Sequence, residues 1–173
     1  HETITRAQNH LASDGAYRGA AMGSALLYAA RGGDASGDAH AVAILGGSLA
    51  TTALGFTAGA GLTDGEASGA TWGSTFSAAL VAGALGAAGG WDASEPRAQV
   101  GGLVGAAVAG YPLGLRWVRR AAYALSEGDI SAIQTSSLVG VTAAGAFLGD
   151  DTDGRVIAGV LTGGFLAGSL LGD

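Results

Sequence analysis

Three aspartates stand close together at Asp150, Asp151 and Asp153, where their carboxylates could bind a cation. Such a run could form the first half of a calcium-binding loop. The EF-hand pattern is not met, because position 149, where the first ligand belongs, is glycine, and position 160, where the closing glutamate belongs, is valine. Acids recur at two other turns, at Asp34, Asp38, Asp92 and Glu95. A shared weak cation site is one interpretation, but solvated turns and helix caps explain these acids better, so no metal site is predicted.

Residues for other chemistries are equally sparse. His1, His10 and His40 lack the spacing of metal ligands. The chain has no cysteine, which excludes disulfides and thiol chemistry, and it has no lysine, which excludes a phosphate-binding P-loop. No G-x-S-x-G nucleophile elbow occurs. We therefore predict that the chain is not an enzyme and takes no cofactor.

The balance of charge argues against nucleic acid as a partner. The net charge is −6, and eight arginines are the only strongly basic residues, whereas binding to a phosphate backbone needs a surplus of them. Arg116, Trp117, Arg119 and Arg120 form the one basic cluster. We consider this cluster a candidate interface, either with lipid headgroups or with an acidic turn of a neighbouring copy, the alternative being a solvated helix end.

A three-residue phrase recurs along the chain and indicates a tandem repeat. The copies are Ser13-Asp14-Gly15, Thr63-Asp64-Gly65 and Ser126-Glu127-Gly128. They divide the chain into units 13–62, 63–125 and 126–173, with residues 1–12 as the tail of a preceding unit. The middle unit is about five residues longer, which we place at residues 91–96.

Each unit contains two long apolar runs, and these predict six elements. The runs are mostly about 17–25 residues long, rich in alanine and leucine, and without strand-like alternation. Ser13, Thr63 and Ser126 are good helix N-caps with an acid in the first turn. The sequence therefore predicts an all-α fold of three tandem helical hairpins made of six Gly/Ala-rich helices, with a β structure as the alternative.

Glycines recur every four residues within these runs, which would place them on one face of a helix. The residues predicted to pack helix on helix are Gly15, Gly19, Gly23, Gly65, Gly69, Gly73, Gly101, Gly105, Gly159, Gly163 and Gly168. This spacing resembles a glycine zipper. The resemblance implies close helix packing and assembly, as in membrane hairpins and envelope proteins, and it implies no chemistry.

The same runs leave two functions open. We expect first a structural, self-assembling protein of the cell envelope or extracellular space, which could form a filament with copies of itself. The alternative is a polytopic membrane protein that acts as a scaffold or accessory subunit. The run lengths fit a bilayer, and aromatic residues near the run ends would suit an interfacial belt: Trp72, Trp91, Tyr111 and Trp117. The chain begins with histidine, so we expect either a removed leader or a piece of a longer polypeptide.

Overall fold

Helices make up almost the whole of the part of the chain that the computed structural model describes, which is residues 3–92, 96–149 and 151–172. Six α-helices follow one another: α1 Arg6–Arg31, α2 Gly37–Ala58, α3 Asp64–Ala87, α4 Arg97–Arg120, α5 Glu127–Gly145 and α6 Gly154–Leu171. Short 3₁₀ turns at Gly32–Asp34 and Gly90–Asp92 follow α1 and α3. No strand occurs within these residues, and the predicted all-α fold of six helices is confirmed.

Capping boxes begin the first helix of every hairpin. The hydroxyls of Thr63 and Ser126 accept hydrogen bonds from backbone N–H groups of α3 and α5, as predicted for these two N-caps. The prediction for Ser13 is wrong, because that residue lies inside α1. Thr5 caps α1 instead, in a capping box with Gln8. Residues 6–12 therefore form the first turns of α1 and belong to the first hairpin.

The helices pair as hairpins and the hairpins pack side by side. The closest pairs are α1 with α2, α3 with α4, and α5 with α6. Neighbouring hairpins meet because α4 also packs on α1 and α6 also packs on α3. The central helix α3 contacts α1, α4, α5 and α6, whereas α2 packs chiefly on α1. The extra residues of the middle unit, predicted at 91–96, fall partly outside the described residues.

Within each hairpin the two backbones touch at glycine. A Cβ built on Gly73 would lie within 3.0 Å of the carbonyl oxygen of Gly110, and a Cβ on Gly110 would lie as close to that of Gly73. Gly19 and Gly47 stand in the same relation in the first hairpin. Real Cβ atoms essentially never approach another atom so closely, so no larger residue fits. Such contact lets the helices gain dispersion and weak Cα–H···O contacts.

Six of the eleven predicted packing glycines approach another backbone this closely, whereas a Cβ on a seventh, Gly69, would meet the side chain of Val118. Those that meet the backbone of a helix of their own hairpin are Gly15, Gly19, Gly23, Gly73 and Gly168. Gly65 meets the carbonyl oxygen of Leu125, in the segment before α5. The facing backbone is approached just as closely by six glycines that are not among those predicted: Gly47, Gly55, Gly110, Gly114, Gly140 and Gly164.

The other four predicted glycines behave differently. A Cβ on Gly105 or Gly163 would have no atom within 4 Å, so their predicted packing role is wrong. Both lie on a side of their helix that faces no other helix. Gly101 and Gly159 would make only ordinary contact, at 3.8 Å from Ala29 and 4.0 Å from Ala87, and these alanines belong to the preceding hairpin.

The largest buried cluster is aromatic. Trp72 of α3 packs on Phe76 and on Phe165 of α6, with ring centroids 6.0 Å and 5.6 Å away. Ile130 and Ile133 of α5 belong to the same cluster, as do Val118 of α4 and Leu125. An interfacial position for Trp72 is therefore wrong, since the side chain is buried in the middle of the protein.

We expect opposite results from two Gly→Ala substitutions. Gly73→Ala should destabilise the fold by about 1–3 kcal/mol, because its Cβ overlaps the backbone of α4. Gly105→Ala should stabilise it by up to about 1 kcal/mol, since the methyl group meets open space and alanine favours the helix. Denaturant unfolding followed by circular dichroism measures both. Equal stability of the two variants would contradict the close backbone contact.

Candidate functional site

An ion pair lies in the middle of the bundle, on an otherwise uncharged stretch of α1. Arg18 donates from Nε to Oδ1 of Asp14, one helical turn earlier, at 2.6 Å. The exposed fractions of the two side chains are 30% for Arg18 and 17% for Asp14. Charges this deep in a protein are normally retained only when they are paired and hydrogen-bonded.

Two further helices satisfy this pair. Tyr111 of α4 donates its hydroxyl to Oδ2 of Asp14. The Arg18 guanidinium donates to Thr75 Oγ1 at 2.8 Å and to Ser74 Oγ at 3.4 Å, both on α3. The polar contacts therefore tie α1 to α3 and α4 where the first two hairpins meet, and we call these five residues the polar tie. Tyr111 accordingly lies inside the bundle, so its predicted place in an aromatic belt is wrong.

The polar tie separates two different cavities. On one side a polar groove runs between α1 and α5, where His10 Nε2 lies 3.3 Å from Thr71 Oγ1. On the other side an apolar cavity of about 410 Å³ lies between α1, α2 and α4. The side chains that line this cavity include Leu11, Met22, Leu54, Val108 and Leu115. Arg18 borders both spaces.

The chemistry of the polar tie is that of a structural contact. Both oxygens of Asp14 already accept a hydrogen bond, from Arg18 and from Tyr111. Among the described residues, no group of three or more His, Cys, Asp or Glu side chains could hold a metal ion. The arrangement fixes three helices in register, because each polar atom finds its partner in only one relative position.

The predicted basic interface is partly used within the chain. Arg119 donates from Nε to Glu66 Oε1 at 2.8 Å, joining the end of α4 to the start of α3. Trp117 is half-buried against the aromatic cluster. Arg116 and Arg120 are exposed, so of the predicted interface only these two point away from the protein.

The contact with Arg119 changes the titration of Glu66. The hydrogen bond from the Arg119 guanidinium lowers the pKa of this carboxyl below its ordinary value. The backbone N–H of Thr63, which donates to Oε2 at 2.9 Å, lowers this pKa further, and desolvation opposes the two. Glu66 therefore carries its charge at the helix N-terminus to a lower pH than a free glutamate does.

Sequence reasoning did not identify the polar tie. Asp14 was treated as an acid in the first turn of a helix, and Tyr111 as part of an aromatic belt. The available signal was the spacing of Asp14 and Arg18, four residues apart on a helix, within a stretch of small and apolar residues. Nothing local connects this pair to Tyr111, which is 97 residues from Asp14.

Among the residues that the structure describes, three helices are long and apolar enough to cross a membrane, judged by length and composition. They are the second helices of the hairpins, α2, α4 and α6, with mean hydropathies of 1.5, 1.3 and 1.5. In the most apolar stretch of α2 no residue is buried inside the protein, and in those of α4 and α6 only 22% and 17% are.

Comparison with known proteins identified no relative: no family model, no curated protein and no solved structure matches this chain.

Removal of the Asp14 charge should destabilise the fold strongly. Asp14→Asn leaves the guanidinium of Arg18 without its counter-charge, and we expect a loss of about 3 kcal/mol. Tyr111→Phe removes a single hydrogen bond and should cost about 1 kcal/mol or somewhat more. Arg18→Met added to Asp14→Asn should recover part of the loss. Free energies of unfolding test this order, and a neutral Asp14→Asn variant would contradict it.

The contact between Glu66 and Arg119 should make stability fall in acid. A lowered folded-state pKa stabilises the protein above the unfolded value, near 4.3, and this contribution is lost as the pH falls through the folded pKa. Glu66→Gln should therefore be less stable than the wild type at pH 7, and the difference should shrink as the pH falls. Thermal unfolding at a series of pH values from 7 downwards measures the difference, which should be smaller at pH 7 in an Arg119→Gln background. A constant difference at all pH values would contradict the assignment.

Proposed function

We propose that this chain is a polytopic membrane protein that serves as a helical scaffold or accessory subunit, with its apolar sides in contact with lipid. The observation that carries this proposal is the distribution of large apolar side chains. Every helix except α3, which lies at the centre of the bundle, exposes some of them. They include Tyr17, Leu26, Val42, Leu45, Leu49, Leu54, Val108, Leu113, Leu138, Val139, Val156, Leu166 and Leu170.

The interior shows the opposite composition. Much of what is buried is glycine, alanine and hydroxyl-bearing residues, among them Ser74 and Ser137. Ser137 and Ser169 join α5 to α6 with their hydroxyl oxygens 2.7 Å apart. Small residues and hydroxyl groups at helix contacts, with large aliphatic residues outside, are typical of helices that associate in lipid. A water-soluble domain buries its large aliphatic residues instead.

The lengths of the helices and the positions of the charges agree with this proposal. A bilayer core of about 30 Å needs about 20 residues of helix, and α2 and α4 have 22 and 24. Most charged residues lie at helix ends, where Arg6 approaches Asp64 and Arg119 binds Glu66. The described charges in the middle of a helix are Asp14 and Arg18, which neutralise each other, as ionisable groups inside a membrane usually do.

A soluble filament, our first expectation, fits this surface less well. Stacking of copies would cover the two outer faces of the row of hairpins and leave the apolar side chains of the other faces in water. A bilayer covers all of these side chains at once. The two functions differ in whether lipid or water surrounds the helices.

Cell fractionation is the experiment that distinguishes them. We expect the protein in the membrane fraction, resistant to extraction by high salt or alkaline carbonate, and released only by detergent. Recovery of folded protein from the aqueous fraction without detergent would contradict the proposal.

A single charge on α2 sharpens this test. Leu49 lies near the middle of α2, with 71% of its surface exposed. In lipid, Leu49→Arg should reduce insertion strongly, because arginine at the centre of a membrane helix costs about 2.5–3.5 kcal/mol. The matched variant Leu49→Phe should insert normally. In water, an exposed arginine at this position would be nearly neutral, so unchanged yield and location of Leu49→Arg would contradict the membrane assignment.

A further inference from the structure

Both junctions between hairpins share one geometry. At the first, a Cβ on Gly101 of α4 would lie 3.8 Å from Ala29 of α1, and at the second, one on Gly159 of α6 would lie 4.0 Å from Ala87 of α3. Gly101 and Gly159 are 58 residues apart, and so are Ala29 and Ala87. The second helix of each hairpin therefore packs on the first helix of the preceding hairpin in the same register.

An arginine marks both junctions at the same end. The guanidinium of Arg97 lies against Gly32, which has a φ of 67°, and donates to the carbonyl oxygen of Arg31 at 3.1 Å. The guanidinium of Arg155 lies against Gly89, which has a φ of 73°. At both junctions, therefore, an arginine at the start of the second helix of one hairpin contacts a turn of the preceding hairpin. This turn is the one that follows the first helix of that preceding hairpin.

The hairpins themselves also superpose in register. A Cβ on Gly55 would meet the carbonyl oxygen of Leu11, and a Cβ on Gly114 would meet the carbonyl oxygen of Gly69. Each residue of α2 therefore corresponds to the residue of α4 that lies 59 positions later in the sequence. In the same way Gly110 meets Gly73, and Gly168 meets Ser136. Each residue of α3 therefore corresponds to the residue of α5 that lies 63 positions later.

This correspondence identifies two surfaces that have no partner of this kind among the described residues. One side of α4 packs on α1, and the same side of α6 packs on α3. The residues of α2 at the equivalent positions are Asp38, Ala41, Leu45, Ser48 and Thr52, which we call the α2 stripe. Trp72, Phe76, Ala79 and Gly83 of α3 face α6, and their equivalents at the end of the chain are Thr135, Val139, Thr142 and Ala146, the α5 stripe. Leu45 is 63% exposed and Val139 is 62% exposed.

We propose that the α2 stripe of one copy docks on the α5 stripe of another, head to tail, in the geometry that joins the hairpins within one chain. The occupant is a second copy because the two stripes are the equivalents of surfaces that already pack together twice. Their small side chains and hydroxyl groups suit close helix contact in lipid as well as in water. Such a contact joins two different surfaces, so it builds rings or open rows.

Two differences weaken the contact between copies: the stripes carry neither the polar tie nor the aromatic rings of the internal junctions, and they lack the arginine of those junctions. Asp38 occupies the position of Arg97 and Arg155, so the arginine of the internal junctions is absent here. In the equivalent docked position Asp38 would face the turn after α5, which exposes Asp151. Two carboxylates near each other oppose docking, and the contact between copies is therefore weaker and more readily reversible than the junctions within the chain.

Disulfide cross-linking tests this contact directly, because the natural chain has no cysteine. Leu45 and Ala146 are the equivalents of Thr162 and Gly83, which touch at the internal junction. Mild oxidation of the double variant Leu45→Cys, Ala146→Cys should give a ladder of dimers, trimers and larger species, or a single closed ring. A second pair, Ser48→Cys with Thr135→Cys, corresponds to the contact of Phe165 with Trp72 and should give the same products.

Matched controls make either outcome decisive. Ala50 is also exposed on α2 but lies outside the α2 stripe, so Ala50→Cys with Ala146→Cys should remain monomeric. Cross-linking of this control as strongly as of the first pair, or of Ala146→Cys alone into dimers, would overturn the proposal, as would failure of both predicted pairs. Asp38→Arg added to the first pair should increase the cross-linked fraction at low salt, and a decrease would count against the assigned register.

The cross-linking result does not depend on the proposed membrane location. Oxidation is carried out in whichever fraction contains the folded protein. Recovery of the folded protein from the aqueous fraction would contradict the membrane proposal. The cross-linked products on the gel would still show whether the two stripes contact each other.

Discussion

The structure depends on the contact of backbone with backbone inside each hairpin. A glycine inside a helix costs about 1 kcal/mol relative to alanine, and the chain accepts this cost at pairs such as Gly19 with Gly47 and Gly73 with Gly110, where no Cβ fits. Helices that approach so closely leave little room between them for leucine or valine. The large aliphatic side chains are consequently displaced to the outside of the bundle. The apolar surface, and with it the proposed place in lipid, therefore follows from how the hairpins pack.

Helix surfaces made of small residues are smooth and can pack in several registers. Other contacts must therefore determine the relative positions of the helices. The two junctions between hairpins solve this problem with different chemistry at equivalent positions. At the first, Asp14 and Arg18 bind Tyr111 and two hydroxyl groups of α3. At the second, Trp72 and Phe76, which lie 58 residues further along than Asp14 and Arg18, pack on Phe165. One junction is specified by hydrogen bonds that fit in only one arrangement, and the other by the shape of three rings.

The sequence predicts the fold class and the six helices because long apolar runs and N-caps such as Thr63 are local signals. It misplaces the start of the first hairpin, since the phrase at Ser13 imitates the one at Thr63 while the true cap, Thr5, relies on Gln8. Four-residue spacing places glycines on a common face of a helix but does not say which face has a neighbour, which is why Gly105 was included and Gly47 was not. The polar tie was missed because Tyr111 and Asp14 meet only through the tertiary fold.

The outer surfaces of the first and third hairpins occupy the same positions in the repeat as the internal junctions. The α2 stripe and the α5 stripe occupy the positions of the internal junctions, but they lack the aromatic rings and the polar tie that specify those junctions, and Asp38 replaces the arginine found at Arg97 and Arg155. A further junction would therefore rest on smaller side chains than the internal ones, and its electrostatic term would have the opposite sign. Within one chain the covalent connection gives the hairpins a high effective concentration, which offsets unfavourable terms at the internal junctions. In the proposed contact between copies the repulsion is not offset in this way, so we expect the row of hairpins to extend only at high local concentration, as in the proposed membrane location, or when salt screens the charges.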